Sequence, residues 1–440
     1  MSMNIVHTKY GSLSGVEESE CCTAFKGIPY AAPPTGDLRW KRPQPPIPWT
    51  GVRKAWEFGP CCPQIRALPG SFYHKEFYQQ DDGVVQSEDC LYLNVWTPAE
   101  SSDEELPVLF WIHGGAFDHG SGSELEFDGA RFSELGVILV TINYRCHALG
   151  FLCHPWLDAE TEDGCSGNYG LYDQIAALDW VRENIRAFGG DPQNITIFGQ
   201  SAGAMSVQDL VVSPLAAGKF EKVIMQSGGG IDGLHLDGDR KTGVACAEKL
   251  IRRLGVSSLE ELRKVDPWTL AKACRELQPE AGFYPIVDGR LLPDTPAALA
   301  RAGKAPDIPY LLGSCQDEMG GDTALLFAAG NRSWCSNQHA LGRRDPYLYW
   351  FNRQMPGDDA GAFHSAELWY VFGTLGRCWR PLTEADHELG RIISCYWANF
   401  ARYGDPNGDN LPSWLPCTAE SPTELTLGLR IVNRPVNLDE

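Results

Sequence analysis

The 440-residue chain is 43% hydrophobic and 21% charged, with no low-complexity run, a composition that supports an extensive core and leaves little of it disordered. Its formal charge of −20 and pI near 4.9 set a field that repels phosphodiester backbones and anionic lipid, which disfavours nucleic-acid and membrane roles. No linker or internal repeat divides it, so a single domain over residues 1–440 is expected.

The amino terminus, Met1-Ser2-Met3-Asn4-Ile5-Val6-His7-Thr8-Lys9-Tyr10, has no basic region followed by an apolar stretch. No apolar run approaches the ~18 residues of a membrane span. The expectation is a soluble, cytoplasmic chain without an export signal. Its fifteen cysteines are odd in number, and most sit in apolar or helical stretches, as Cys146, Cys153, Cys246, Cys274 and Cys395 do; reduced thiols are expected. Cys21-Cys22 and Cys61-Cys62 lack the spacing and nearby histidines of a zinc site, so no metal is expected.

Residues 1–60 read as short strands and turns, with proline-rich punctuation over 29–48. The stretch 91–96 alternates towards a strand, and 107–112 and 136–142 are continuous apolar runs, the mark of a sheet buried on both faces. Leu171, Ile175, Leu178, Val181 and Ile185 recur at helical spacing until Phe188-Gly189-Gly190-Asp191-Pro192 stops the helix. A strand at 195–198, a further helix after Ser201 and a strand at 222–226 follow. This alternation predicts an α/β fold, a mainly parallel central sheet flanked by helices. Helical patterns dominate 243–303 and look like a cap over the strand ends, a strand at 309–313 interrupts them, and Leu389, Ile392, Ile393, Tyr396, Trp397 and Phe400 line a last helix that Gly404 stops. Helical cap-like insertions are expected at about 231–305 and 319–363.

Gly199-Gln200-Ser201-Ala202-Gly203 lies between the strand at 195–198 and the helix that follows it. That is the strand, sharp turn and helix of the α/β-hydrolase nucleophile elbow, which leaves a serine hydroxyl exposed above the sheet edge. Ser201 is the expected nucleophile. Attack on an ester carbonyl gathers negative charge on oxygen, so backbone N–H groups must already point there. His113-Gly114-Gly115-Ala116-Phe117, a glycine-rich turn after a strand, suits that task, with Gly115, Ala116 and Ala202 as donors. A serine also needs a histidine base, and the base a carboxylate; in this fold the order is serine, acid, histidine. Of the histidines after Ser201, His235 and His387 read as structural or solvated; spacing favours His364 over His339 without deciding between them. Asp317 and Glu318 both follow the strand at 309–313, where carboxylates of open α/β sheets sit, and periodicity does not choose.

These pieces together resemble the type-B carboxylesterase family over nearly the whole chain. Residues 188–203 look like its serine signature, and Glu88-Asp89-Cys90-Leu91-Tyr92-Leu93-Asn94-Val95-Trp96-Thr97-Pro98 like its second one. Gly27-Ile28-Pro29-Tyr30-Ala31, Asn143-Tyr144-Arg145 and Gly404-Asp405-Pro406-Asn407-Gly408 are supporting matches. The resemblance puts the family's acid on Glu318, its histidine on His364 within Phe363-His364-Ser365-Ala366-Glu367, and its oxyanion donors on Gly115, Ala116 and Ala202. It implies a serine ester hydrolase working through an acyl-enzyme without a cofactor, its partner a small-molecule ester.

Departures from the family pattern bear on the substrate. Gln200 stands where the family usually has glutamate, Met319 where it has glycine, and the stretch between Glu318 and His364 is shorter. Cys62 and Cys90 match a disulfide of exported relatives and are expected here as thiols. Cholinesterases hold a cation on a tryptophan between those two cysteines, and residues 63–89 contain none. Phe72, Tyr73, Phe77 and Tyr78 make the loop aromatic, which suits uncharged or aromatic esters of small to medium size. Gln200, Phe117 and Phe72 are the residues expected against the substrate. Hydroxycinnamoyl esters of the feruloyl type, or amides, are the narrower alternative, and a non-catalytic binding protein of the same fold is a third reading. The base is expected to titrate near the ordinary histidine value of ~6.5.

Overall fold

Along the central strands successive side chains enter two different cores. Val108, Phe110 and Ile112 belong to one apolar cluster together with Val140, Ile197 and Val223, while Leu109 and Trp111 join Leu139, Phe198 and Ile224 in another. A pleated strand points alternate residues to opposite faces, so a continuous apolar run means that both faces are covered.

The computed structural model describes residues 4–78, 85–320 and 322–438. Among these, sixteen strands form three sheets. One small sheet contains β1 (Ile5–Thr8), β2 (Gly11–Ser14) and β5 (Val52–Lys54), and another pairs β11 (Gly238–Asp239) with β12 (Ile286–Val287). The large sheet contains β3 (Val16–Ser19), β4 (Cys22–Pro29), β6 (Tyr92–Thr97), β7 (Leu106–Ile112), β8 (Ile138–Ile142), β9 (Gly190–Gln200), β10 (Lys222–Gln226), β13 (Tyr310–Cys315), β14 (Tyr347–Phe351), β15 (Thr423–Leu427) and β16 (Val432–Pro435). Their spatial order is β16-β15-β14-β13-β10-β9-β7-β8-β6-β4-β3. The strands from β15 to β8 are all parallel. Antiparallel strands extend the sheet at both edges.

Helices cover both faces. Tyr169–Asn184 and Ala202–Val212 contribute Leu171, Leu178, Val207 and Leu210 to the first cluster. Glu384–Tyr403 lays Leu389, Ile393, Trp397 and Phe400 on the second. The region at 231–305 carries four helices, Arg240–Leu254, Leu259–Arg263, Pro267–Glu276 and Pro296–Arg301. Leu250, Ile251, Leu262 and Leu270 from these helices enter the same cluster as the sheet.

The expectation of a helical insertion over 319–363 needs correction. The helix Thr323–Ala340 is there, but β14 lies in the same stretch and is paired between β13 and β15. Its sequence, Tyr347-Leu348-Tyr349-Trp350-Phe351, is a short apolar aromatic run, and five residues are too few for periodicity to separate strand from helix. Among the described residues no helix is long and apolar enough to cross a membrane.

Candidate active site

Three parallel strands aim their carboxyl ends at one point. β9 ends at Gln200, and Ser201 turns there with φ 57° and ψ −126° before the helix Ala202–Val212 begins. Such angles are sparsely populated for a residue with a side chain and persist only where the surroundings enforce them. One enforcing contact is the Ser201 N–H, which donates to Gln226 O on β10 at 2.8 Å. Another is the approach of the helix to the sheet: a Cβ on Gly203 would lie 2.1 Å from Ile112 O, so no larger residue fits.

The turn after β7 is pinned from below. His113, fully buried and stacked on Tyr144 at 4.3 Å, has Nδ1 2.8 Å from Gly114 O, and burial pushes its imidazolium down to about 4, so it is neutral and that N–H donates. Gly115 then takes φ 97°, a left-handed conformation that favours glycine, and Ala116 and Phe117 follow at 53° and 59°. Among the described residues the N–H groups of Gly115, Ala116 and Ala202 donate no hydrogen bond. For Ala202 this is the free donor of a helix's first turn.

Glu318 lies beyond β13 and His364 on the loop before the helix Leu368–Val371. A parallel bridge between Asp317 and Phe363 ties the two segments together. Asp317 Oδ2 accepts from Ala362 N at 2.8 Å and from Gln354 Nε2 at 2.9 Å, so that carboxylate is occupied in holding the loop. Glu318 points the other way. Its Oε1 accepts from Cys315 N at 2.7 Å and its Oε2 meets His364 Nδ1 in a short hydrogen bond. Phe327 lies nearly parallel to the imidazole, 13° between planes and 6.0 Å between centroids.

Burial works against the charged imidazole, but the charge and hydrogen bond of Glu318, with Glu367 behind them, outweigh it and hold His364 above the ordinary histidine value. The expectation of an unperturbed base is corrected upward. Glu367 is itself buried, which pushes its carboxyl up, and it accepts from Gln226 Nε2 at 3.2 Å and Cys315 Sγ at 3.0 Å. It stands three residues after His364, yet no sequence pattern marks it as part of the site.

Ser201, His364, Gln200 and the 114–116 turn line one cavity of about 370 Å³. His364 Nε2 faces Gln200 Nε2 at 3.2 Å. Tyr73, Phe77, Tyr78, Phe127, Leu368 and Met319 give the cavity an apolar wall. Arg66, His119, Glu124, Glu126 and Arg275 also line it. Those five come from scattered loops and helix ends, with no spacing by which the sequence could group them.

Two expected substrate contacts need correction. Phe117 is fully buried against Phe151 and Tyr284 and is not part of the cavity wall. Phe72 packs edge-on against Tyr73 and Phe363 outside the wall, and it is its neighbours on the helix Phe72–Phe77 that reach the cavity. His339 and His235 lie elsewhere: His339 Nε2 is 2.9 Å from Cys417 O, and His235 pairs with Asp209 at 3.1 Å. Cys62 and Cys90 are buried free thiols.

The carboxylesterase family model matches residues 2–333 and 323–438. Para-nitrobenzyl esterase of Bacillus subtilis (strain 168) is 35% identical over 482 aligned residues, covering 96% of this chain and 94% of that protein. Fumonisin B1 esterase of Sphingopyxis macrogoltabida is 39% identical over 320 residues, 71% of this chain and 56% of that protein. Among solved structures, a PNB esterase superposes with a TM-score of 0.87 at 32% identity, covering 99% of this chain and 97% of that one. A carboxylesterase of Geobacillus stearothermophilus does so at 0.84 and 35%, covering 98% and 97%.

Proposed function

The chain belongs to the carboxylesterase family and is a carboxylic-ester hydrolase, and we propose that Ser201, His364 and Glu318 do its chemistry. The observation that carries this reading is the meeting of the three segments: Ser201 and His364 share one cavity, and His364 Nδ1 is bonded to Glu318. With its proton held at Nδ1, the neutral imidazole has its lone pair at Nε2, on the cavity side.

Ser201 Oγ attacks the ester carbonyl carbon and its proton passes to His364 Nε2. The carbonyl oxygen becomes an oxyanion, which the N–H groups of Gly115, Ala116 and Ala202 receive. The tetrahedral centre collapses, the C–O bond to the alcohol breaks, and the imidazolium returns the proton to the departing oxygen. Water then attacks the acyl-enzyme with His364 as base again, and the acid is released.

The aromatic wall and a cavity of about 370 Å³, within the range of small-molecule pockets, favour uncharged or aromatic esters of small to medium size. A p-nitrophenyl ester should give a burst of nitrophenol followed by steady turnover, both abolished in Ser201→Ala. Wild-type turnover in that variant would remove Ser201 from the mechanism. A panel varying acyl and alcohol parts separately, with hydroxycinnamoyl esters and p-nitrobenzyl esters among its members, ranks substrates by kcat/KM.

A further inference from the structure

The atom that must take the serine proton is already occupied. Gln200 Nε2 lies 3.2 Å from His364 Nε2, and among the described residues no hydrogen bond reaches Ser201 Oγ. The chemistry of the pair sets the direction of the contact. Because His364 Nδ1 faces Glu318, the neutral ring keeps its proton there and Nε2 can only accept. The amide nitrogen of Gln200 is a donor that meets this need, whereas an ionised glutamate at the same place could only accept. Gln200 is buried, 3% exposed, and a Cβ on Gly114 would come within 3.2 Å of its Oε1, so the carboxamide is closely confined.

We propose that Gln200 is a positioning residue whose amide N–H occupies His364 Nε2 in the empty enzyme, keeping the imidazole neutral and off Ser201, and gives up that lone pair to the serine hydroxyl when an ester fills the cavity. This rests on the reading of His364 as the base. It assigns to a neutral residue a control that a carboxylate would exert with the opposite sign. A donor at Nε2 stabilises the neutral ring; an anion at Nε2 stabilises the imidazolium.

Other groups around His364 are fixed and common to every variant at position 200. Glu318 faces it from the turn after β13, Glu367 from its own segment, and Tyr73 and Cys315 stand beyond those carboxyls. The Phe327 ring covers one face. Arg380 lies over the adjacent Phe363 ring, paired with Glu76 and Asp358. His119, Glu124, Glu126, Arg66 and Arg275 line the shared cavity. A change in the titration of His364 among Gln200 variants therefore reports the carboxamide.

The test measures kcat/KM against pH for wild type, Gln200→Ala and Gln200→Glu with an uncharged p-nitrophenyl ester, together with the rate at which a fluorophosphonate probe labels Ser201. The midpoint of the acid limb should rise from wild type to Gln200→Ala, and by about one unit or more on going to Gln200→Glu, the effect of a carboxylate within hydrogen-bonding reach. At about pH 8.5, where the base is largely neutral, Gln200→Ala should label at least as fast as wild type. The midpoint does not depend on a loss of folded protein that is equal at every pH, and circular dichroism over the same pH range separates acid unfolding from titration of His364. Superimposable midpoints in the three proteins, or labelling of Gln200→Ala slowed roughly tenfold at about pH 8.5, would overturn the inference. His364→Ala separates the two levels: an inactive variant with unchanged Gln200 midpoints sinks this inference alone, whereas retained turnover removes His364 as base.

Discussion

Glutamine at position 318 keeps the volume of Glu318 and removes the negative charge that opposes the cost of burying a charged imidazole. In the native protein that charge outweighs burial and His364 is held above the ordinary histidine value. As the base of the proposed mechanism His364 must be neutral to act, so kcat/KM should climb with a midpoint above ~6.5 and level off on the alkaline side. In Glu318→Gln burial is opposed only by the more distant Glu367. The midpoint should therefore move to lower pH while kcat falls by roughly 10²–10⁴, because the tautomer and the charged intermediate both lose their support. A pH–rate profile of the two proteins checks both signs at once. A variant profile that moves to higher pH would show that another group sets the charge of His364.

Helices set the site by where they start and how closely they approach. Replacing Gly203 with valine puts a side chain where a Cβ already stands 2.1 Å from Ile112 O. The contact is with backbone on both sides, so the cost should exceed the about 1–3 kcal/mol of ordinary overpacking. Gly203→Val should accumulate as poorly folded protein, without burst activity, and a cooperative melt at the wild-type temperature would refute the argument.

The last long helix offers a second test. Asp386 closes its capping box with Thr383, accepts from Arg353 Nε at 2.6 Å and from Tyr370 Oη at 2.8 Å. Burial pushes its carboxyl up, but the bonds from Arg353, Thr383 and Tyr370 prevail and hold it well below the carboxylate range. A depressed folded value stabilises above the unfolded value of ~3.9 and is lost as pH falls through and below it. Asp386→Asn should cost about 1–3 kcal/mol in urea unfolding near neutrality, and the difference should shrink in acid.

The molecule is built around one sheet whose two faces are each a continuous core. Leu250 and Leu270 from the 231–305 region share a cluster with Val108 and Ile197 of the sheet, so that region has no separate core to melt on its own. Calorimetry should give one main transition; a distinct early transition with esterase activity intact would identify an independent unit. A buried ion pair ties the loop after β8 to the helix Tyr169–Asn184. Arg145 Nε and Nη2 donate to Asp173 Oδ2 and Oδ1 at 2.7 and 2.6 Å, both side chains nearly inaccessible. Arg145→Met leaves a buried carboxylate unpaired and should cost about 3–5 kcal/mol, lowering the whole transition rather than one region.

Which parts of this were readable in the chain follows from how local their causes are. Strands β7 and β8 and the helix Tyr169–Asn184 declare themselves because burial on both faces, or on one stripe, imposes its own periodicity on consecutive residues. The elbow at Ser201 is equally local, since the turn needs small residues at fixed offsets from the serine. β14 and β15 are not legible in the chain because five residues carry too little pattern, and Thr423-Glu424-Leu425-Thr426-Leu427 reads as half polar although every residue of it is buried. Asp317 and Glu318 are equivalent by spacing, and only the family resemblance points to the second. The folded chain supplies the physical reason, turning the first to Ala362 N and the second to His364, because the direction of a side chain leaving a turn is set by contacts made some 45 residues away. The same holds for Phe117, whose ring meets Phe151 and Tyr284 in the core, and for the Gln200 amide at His364 Nε2, a meeting of residues 164 positions apart. Sequence determined the elements and the elbow because those depend on neighbours along the chain; tertiary structure decided partners and orientations because those depend on neighbours across it.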